Sequence, residues 1–233
     1  MTTCFAGPNH WKVSTEMELA DPAGLTGAQC EQLRKIYVEA FPASQRDPFT
    51  ALMASVKSES TLSFTVVQEA EVVAFARLSS LSEPACFFLE YLMVSRPHRG
   101  AGIGGALLER MLSEISQRPG PQCIVFEAED PDTAGSASEA ELRLRRIRFY
   151  ERHGAVRLSA DDYAIPCLDG PGTESMQLLW LGDEPPHGTR LDDLIRTIYR
   201  EGYYLSDEHS LLQRLRRRVL ACNPTHESGM KMS

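Results

Sequence analysis

The sequence predicts an α/β (α+β) fold in which strands and helices are interspersed, followed by a C-terminal helical extension. Three observations carry this. Two β-rich runs, Leu62 to Val67 and Val72 to Leu78, are joined by only four residues. A third run, Phe87 to Val94, leads through a glycine-rich loop into an amphipathic helix. Beyond Pro185-Pro186 the apolar spacing is helical only.

In chain order, Trp11 to Leu19 alternates loosely and suits a first strand. Thr26 can cap a helix running from about Gly27 to Ala40, because Leu33, Ile36, Tyr37 and Ala40 share one face. Phe41-Pro42 stops it. Arg46-Asp47-Pro48 opens a short second helix with Phe49, Leu52, Met53 and Val56 on one side. The linker Gln68-Glu69-Ala70-Glu71 makes the next two strands a hairpin. After the Phe87–Val94 strand, Ile103, Leu107, Leu108, Met111, Leu112 and Ile115 form the amphipathic helix, which Pro119-Gly120-Pro121 ends. Cys123 to Phe126 is a strand, and an acidic, small-residue loop spans about 129–138. An Arg-rich helix runs from about Glu139 to His153 and stops at Gly154. Strands follow around 162–166 and 175–181, then helices over about 191–199 and 210–221, with a loose tail at 223–233.

The chain has 233 residues, 42% hydrophobic and 24% charged, with 24 Lys plus Arg against 32 Asp plus Glu and a net charge of −8. This is the composition of a globular domain able to bury a core, and no apolar run reaches the length of a membrane span. The acidic balance argues against nucleic acid as a partner, since phosphate binding rests on clustered Lys and Arg. Residues 1–8 lack a basic stretch followed by an apolar run, so we expect no secretory signal and a cytoplasmic location. The six cysteines are widely spaced without a CxxC pair, and are expected to be reduced rather than disulfide-linked or metal-bound. No metal site is expected.

The chemistry is concentrated in Arg96-Pro97-His98-Arg99-Gly100-Ala101-Gly102-Ile103-Gly104-Gly105. Strand, glycine loop and helix start together make an anion cradle. Glycines allow close backbone approach, the helix N-terminus offers unpaired N–H groups and partial positive charge, and Arg99 adds a full one. A diphosphate is a natural ligand. The P-loop is excluded because no Lys-Ser or Lys-Thr follows, and a dinucleotide-binding reading is disfavoured because its first βαβ unit would be expected nearer the chain start.

Arg99-Gly100-Ala101-Gly102-Ile103-Gly104, preceded by Leu92, Val94 and Pro97, resembles the R/Q-x-x-G-x-G/A signature of the GCN5-related N-acetyltransferase (GNAT) superfamily. Downstream, Phe149-Tyr150-Glu151-Arg152-His153-Gly154 resembles the superfamily's FYxxxG segment, in the right order and at a fitting separation. The resemblance covers about residues 10–182. It implies a central mixed, mostly antiparallel sheet, flanked by helices and splayed where acyl-CoA inserts. It also implies acetyl-CoA as cosubstrate, with the pyrophosphate held by the backbone of Arg99, Gly100, Ala101, Gly102, Ile103, Gly104 and Gly105, and the pantetheine arm by Met93 and Val94. Tyr150 matches the residue that protonates the departing thiolate. Some relatives carry a general base on the strand before the loop, which makes Glu90 the first candidate.

Glu127 and Glu129 are alternative bases, or ligands for a cationic acceptor; with Asp130, Asp132, Glu139 and Glu141 they form an acidic rim. For each carboxylate the bland alternative is a solvated strand-edge charge. His98 reads as a loop residue. Arg143, Arg145, Arg146, Arg148 and Arg152 cannot share one helix face, so most should be exposed or paired, leaving one or two for the 3′-phosphate. Arg214, Arg216, Arg217 and Arg218 read as a solvated helix face. In the superfamily the acceptor side is built from the first helices and last strands, which here brings in Phe41-Pro42, Arg46-Asp47-Pro48-Phe49 and Tyr163. The tyrosines Tyr199, Tyr203 and Tyr204 suit either an interface or core packing.

The expected organisation is a catalytic domain over 1–184, a helical extension over 185–222 and a tail over 223–233. The function implied is transfer of an acetyl group to the amine of a small molecule or protein, by direct attack in a ternary complex. The alternative is an acyl-CoA-binding regulatory module with little catalysis. A monomer and a homodimer both remain open.

Overall fold

The computed structural model describes residues 18–58 and 60–222. Residues 11–17 of the expected first strand, Cys4 and the 223–233 tail lie outside them, as do the side chains of 218–222. The strands are β1 (Glu18–Ala20), β2 (Thr61–Gln68), β3 (Glu71–Ser82), β4 (Ala85–Val94), β5 (Ile124–Glu129), β6 (Val156–Arg157), β7 (Ala164–Pro166) and β8 (Thr173–Leu181). The helices are α1 (Gly27–Ala40), α2 (Phe49–Ser55), α3 (Ile103–Ser116), α4 (Ala137–Arg152), α5 (Thr189–Thr197) and α6 (Ser210–Cys222).

The strands form one sheet in the order β1-β2-β3-β4-β5-β8-β6, with β7 paired to the start of β8. All pairs are antiparallel except β4 and β5. This is the mixed, mostly antiparallel sheet that was expected. The two-residue β6 has too few side chains to show a period and is invisible in the sequence.

Local chemistry sets the element ends. Thr26 caps α1 reciprocally: the Gln29 N–H donates to Thr26 Oγ1 at 3.3 Å and the Thr26 N–H donates to Gln29 Oε1 at 3.0 Å. The β2–β3 turn places Glu69 (φ 49°) and Ala70 (φ 66°) both in the left-handed region, as a tight hairpin with right-handed twist demands. The Ser136 hydroxyl accepts from the Glu139 N–H at 3.2 Å, so α4 starts two residues before the expected Glu139.

Alternation along the strands divides the core between two faces. One face carries α3 and α4 over Phe87, Leu89, Ile124 and Phe126. The opposite face carries two clusters side by side. Leu33, Tyr37 and Leu52 of α1 and α2 cover Phe75, Tyr91 and Met93. Leu191, Leu194, Ile198, Leu211 and Leu212 cover Phe88, Val125, Leu178 and Trp180. The C-terminal helices therefore share a core with β4, β5 and β8 rather than hanging from the sheet.

The feature that positions the site is a bulge. On β3, Arg77 pairs with Tyr91 and the next residue, Leu78, with Leu89, so Glu90 is the extra residue in β4. A bulge bends its strand and increases its twist. The parallel β4–β5 ladder runs only from Phe87↔Ile124 to Leu89↔Phe126. From Glu90 onward the two strands part, and a wedge opens between them.

Candidate active site

A cleft of about 1460 Å³ follows this wedge. At one end lies the glycine loop. Gly100 (φ 85°) and Gly102 (φ 83°) are left-handed, a conformation that other residues adopt only with strain. Gly102 is the N-cap of α3, and the Ala106 N–H bond to its carbonyl is the first of the helix. The N–H groups ahead of Ala106 are those that a helix start leaves without intrahelical partners. No side chain caps them. Space beside Gly100 and Gly102 is open, so an anion can reach the backbone. Arg99 reaches back to the Val94 carbonyl through Nε at 3.0 Å, which fixes the loop against the end of β4. The Ser95 hydroxyl lies 2.7 Å from His98 Nδ1, so His98 is tied into the loop.

Gly104 and Gly105 serve packing. A Cβ on Gly105 would lie 2.7 Å from His153 Nε2, and one on Gly104 would touch Phe149 and Val94. The loop and the Phe149–Gly154 segment are thus in direct contact.

Tyr150 enters from α4, its ring tilted 46° against Phe126 with centroids 4.2 Å apart, and lines the cleft at the wedge. Burial pushes its phenol up to about 12, so it keeps its proton at neutral pH and can donate it. Of the α4 arginines, Arg143 binds Glu139 at 2.6 Å, Arg148 binds Glu141 at 3.3 Å and Arg146 binds Glu129. Arg145 and Arg152 line the cleft and form no ion pair among the described residues.

The other end of the cleft is acidic and aromatic. Glu90, displaced by the bulge, is mostly buried, with Arg77 Nε 3.4 Å from its Oε2 but not aligned for a hydrogen bond. Burial raises its carboxyl; Arg77 and the Ser79 hydroxyl oppose this and neighbouring Asp47 adds to it. Glu127 lies on β5 beyond the last β4–β5 pair. The Tyr203 hydroxyl donates to its Oε2 at 2.5 Å, and the Tyr163 hydroxyl donates to its Oε1. Burial pushes the Glu127 carboxyl up to about 7; the two phenols hold it down and Glu90 raises it further. Asp47 completes the acidic side, its N–H donating to the Tyr91 hydroxyl at 3.3 Å.

The cleft thus brings together Glu90, Met93, Val94, the 99–105 loop, Glu127, Glu129 and Tyr150. Arg46 is placed differently: its Nε donates to the Phe41 carbonyl at 3.0 Å, and its neighbours Gln45 and Asp47 line the cleft instead. Two partners escape the sequence reading. Arg77 had a visible signal, a lone charge in the apolar run 72–78. Tyr203 had none, because 76 residues separate it from Glu127. Among the described residues, no group of three or more His, Cys, Asp or Glu could hold a metal ion, and no helix is long and apolar enough to cross a membrane.

A model of the acetyltransferase (GNAT) family matches residues 30–155, just over half of the chain. The Bacillus subtilis (strain 168) protein YjbC, whose name marks it as an inferred acetyltransferase, is 22% identical over 170 residues, covering 73% of this chain and 80% of that protein. Among solved structures, an inferred GNAT-family acetyltransferase from Bacteroides thetaiotaomicron superposes with a TM-score of 0.61 at 20% identity, covering 76% of this chain and 92% of its own. An aminoglycoside 6′-N-acetyltransferase complexed with coenzyme A gives 0.54 at 17% identity, covering 73% and 100%. At such identities the structural likeness speaks for the fold alone.

Proposed function

The chain belongs to the acetyltransferase (GNAT) family, and from that premise we propose that it transfers the acetyl group of acetyl-CoA to a cationic amine by direct attack. One observation carries this reading: the β4–β5 wedge joins an open, glycine-lined helix start at one end to Tyr150, Glu90 and Glu127 at the other. Bound acetyl-CoA supplies the thioester. The backbone from Arg99 to Gly105 would hold its pyrophosphate, and Arg145 and Arg152 suit its 3′-phosphate. The open edge of β4 at Met93 and Val94 would take the pantetheine arm.

The acceptor is read from charge. Asp47, Glu90 and Glu127 line the cleft away from its arginines, with Arg77 beside Glu90, an environment that draws an ammonium and repels an anion. An ammonium cannot attack until it loses a proton. Glu127 is the better-matched acceptor of that proton, because its carboxyl titrates near the working pH whereas Glu90 is engaged with Arg77. As the new C–N bond forms and the C–S bond breaks, the Tyr150 hydroxyl gives its proton to the departing sulfur, and the second amine proton leaves the nitrogen as the amide forms and restores the phenol. Holding the two reactants together contributes roughly 7–11 kcal/mol at best.

The test is calorimetric titration with acetyl-CoA, followed by free-thiol release over a panel of diamines, polyamines, amino sugars and peptides with free amines. Binding with thiol release from at least one amine is expected. Binding without release from any amine would overturn transfer in favour of an acyl-CoA-binding module.

A further inference from the structure

We propose that Tyr203, carried by the C-terminal extension, is a positioning residue that sets the protonation of Glu127 and so makes the extension part of the acceptor site. The proposal rests on the reading of Glu127 as proton acceptor. Tyr203 itself lies beyond the family match, which ends at 155.

Three costly local features converge on placing this one hydroxyl. Beyond α5 the chain widens into a π turn over Ile198–Gly202, a rare form that recurs at functional sites. Gly202 then comes so close to β4 that a Cβ would lie 3.1 Å from the Phe88 ring. Tyr204 follows at φ 54°, a left-handed conformation unusual for a bulky residue. Between the last two, Tyr203 turns inward, edge-on to Phe88 with centroids 6.3 Å apart, and donates to Glu127 Oε2 at 2.5 Å. The turn is pinned from outside: the Ser82 N–H donates to Glu201 at 2.9 Å, the Thr197 hydroxyl donates to the Glu83 carbonyl, and the Tyr199 hydroxyl donates to the Ala164 carbonyl at 2.8 Å.

The groups around Glu127 define what Tyr203 does. Tyr163 donates to the other carboxylate oxygen and stacks flat on Tyr199. Glu90, with Arg77 and Asp47 beside it, faces Glu127 across the wedge and disfavours its charge. A phenol that donates to the ionised carboxylate favours the charged form. Removing the Tyr203 hydroxyl therefore moves the Glu127 midpoint upward, by about one pH unit for a hydrogen bond to a charged group.

The experiment follows the Glu127 carboxyl carbon by NMR in the full chain labelled with ¹³C at glutamate Cδ, assigned through its loss in Glu127→Gln. Its titration midpoint should rise by about one pH unit in Tyr203→Phe. An unchanged midpoint in folded Tyr203→Phe protein would overturn the proposal. Should that variant not fold, the unaltered chain labelled at tyrosine Cζ gives a second reading. The Tyr203 resonance should then move with the Glu127 midpoint, and a flat Tyr203 resonance across that midpoint would overturn the proposal equally. Turnover separates the two readings: a Glu127→Gln chain that releases thiol at full rate overturns the proton-acceptor role, whatever the midpoints do.

Discussion

A Cβ on Gly105 would stand 2.7 Å from Nε2 of His153, while Nδ1 of the same ring lies 2.7 Å from the Phe149 carbonyl. The ring is tethered through Nδ1 and presents Nε2 to Gly105, leaving no room for a Cβ there. The helix start that forms the anion cradle and the segment that carries Tyr150 are thereby locked together. Gly105→Ala should cost about 1–3 kcal/mol by overpacking, and lower the Tm by roughly 2–4 °C per kcal/mol in a chain of this size. His153→Ala added to it should recover much of the loss. Thermal unfolding of the single and double variants checks this, and an unaltered Tm in Gly105→Ala would contradict the lock.

Gly102 makes a separable prediction, because no side chain lies within 4 Å of where its Cβ would be. Gly102→Glu brings a carboxylate to the N-terminus of α3, where a diphosphate is expected. The left-handed φ of 83° adds only about 1–2 kcal/mol of strain. Acetyl-CoA affinity, measured by calorimetry, should fall at least about a hundredfold through lost N–H access and repulsion, with the fold retained. Affinity within a few-fold of the unaltered chain would place the pyrophosphate elsewhere.

Tyr150 should act late, on the leaving group. A thiol has a pKa near 8.5 and leaves tolerably as a thiolate, so the proton helps without being indispensable. Tyr150→Phe should lower turnover by roughly ten- to a hundredfold, toward the low end for a positioned acid, while acetyl-CoA binds nearly as before. With the phenol at about 12, no loss of rate on its account is expected up to pH 9. Equal turnover in the variant would remove the role.

How much of this was readable before the structure depends on the range of the interaction. Thr26 and Gln29, three residues apart, make a capping box that the spacing announces. The anion cradle is written in consecutive residues, and the FYxxxG segment is equally compact. The Glu90 bulge is different: it exists only in the register between β3 and β4 and follows from no local pattern. Longer-range still are Arg77 against Glu90 and Tyr203 against Glu127, contacts that topology alone creates. Motifs written in consecutive residues were therefore legible, as were Glu90 and Glu127 as candidates, whereas the distant side chains that hold those two carboxylates were not. Tyr203, suited in sequence to an interface or a core, lies at neither extreme; it faces the cleft with its ring packed on Phe88.

Glu127 ties this buried acceptor side to stability. In the folded chain its carboxyl holds a proton up to about pH 7, whereas an ordinary one releases it near 4.5. Between those values the folded state binds more protons than the unfolded, so the contribution of Glu127 to stability falls as pH rises. At about 1.4 kcal/mol per pH unit, the loss across the window is on the order of 3–4 kcal/mol. Glu127→Gln cannot ionise and removes this slope. The Tm of the variant, measured against that of the unaltered chain, should rise by several degrees between pH 5 and pH 8, even if the amide satisfies only one of the two phenols and starts lower at pH 5. Over the same range, acetyl transfer by the unaltered chain should drop about tenfold per unit below pH 7 as the carboxylate is protonated. Parallel Tm curves from pH 5 to 8 would show that Glu127 ionises as an ordinary carboxylate, and would remove it as the proton acceptor.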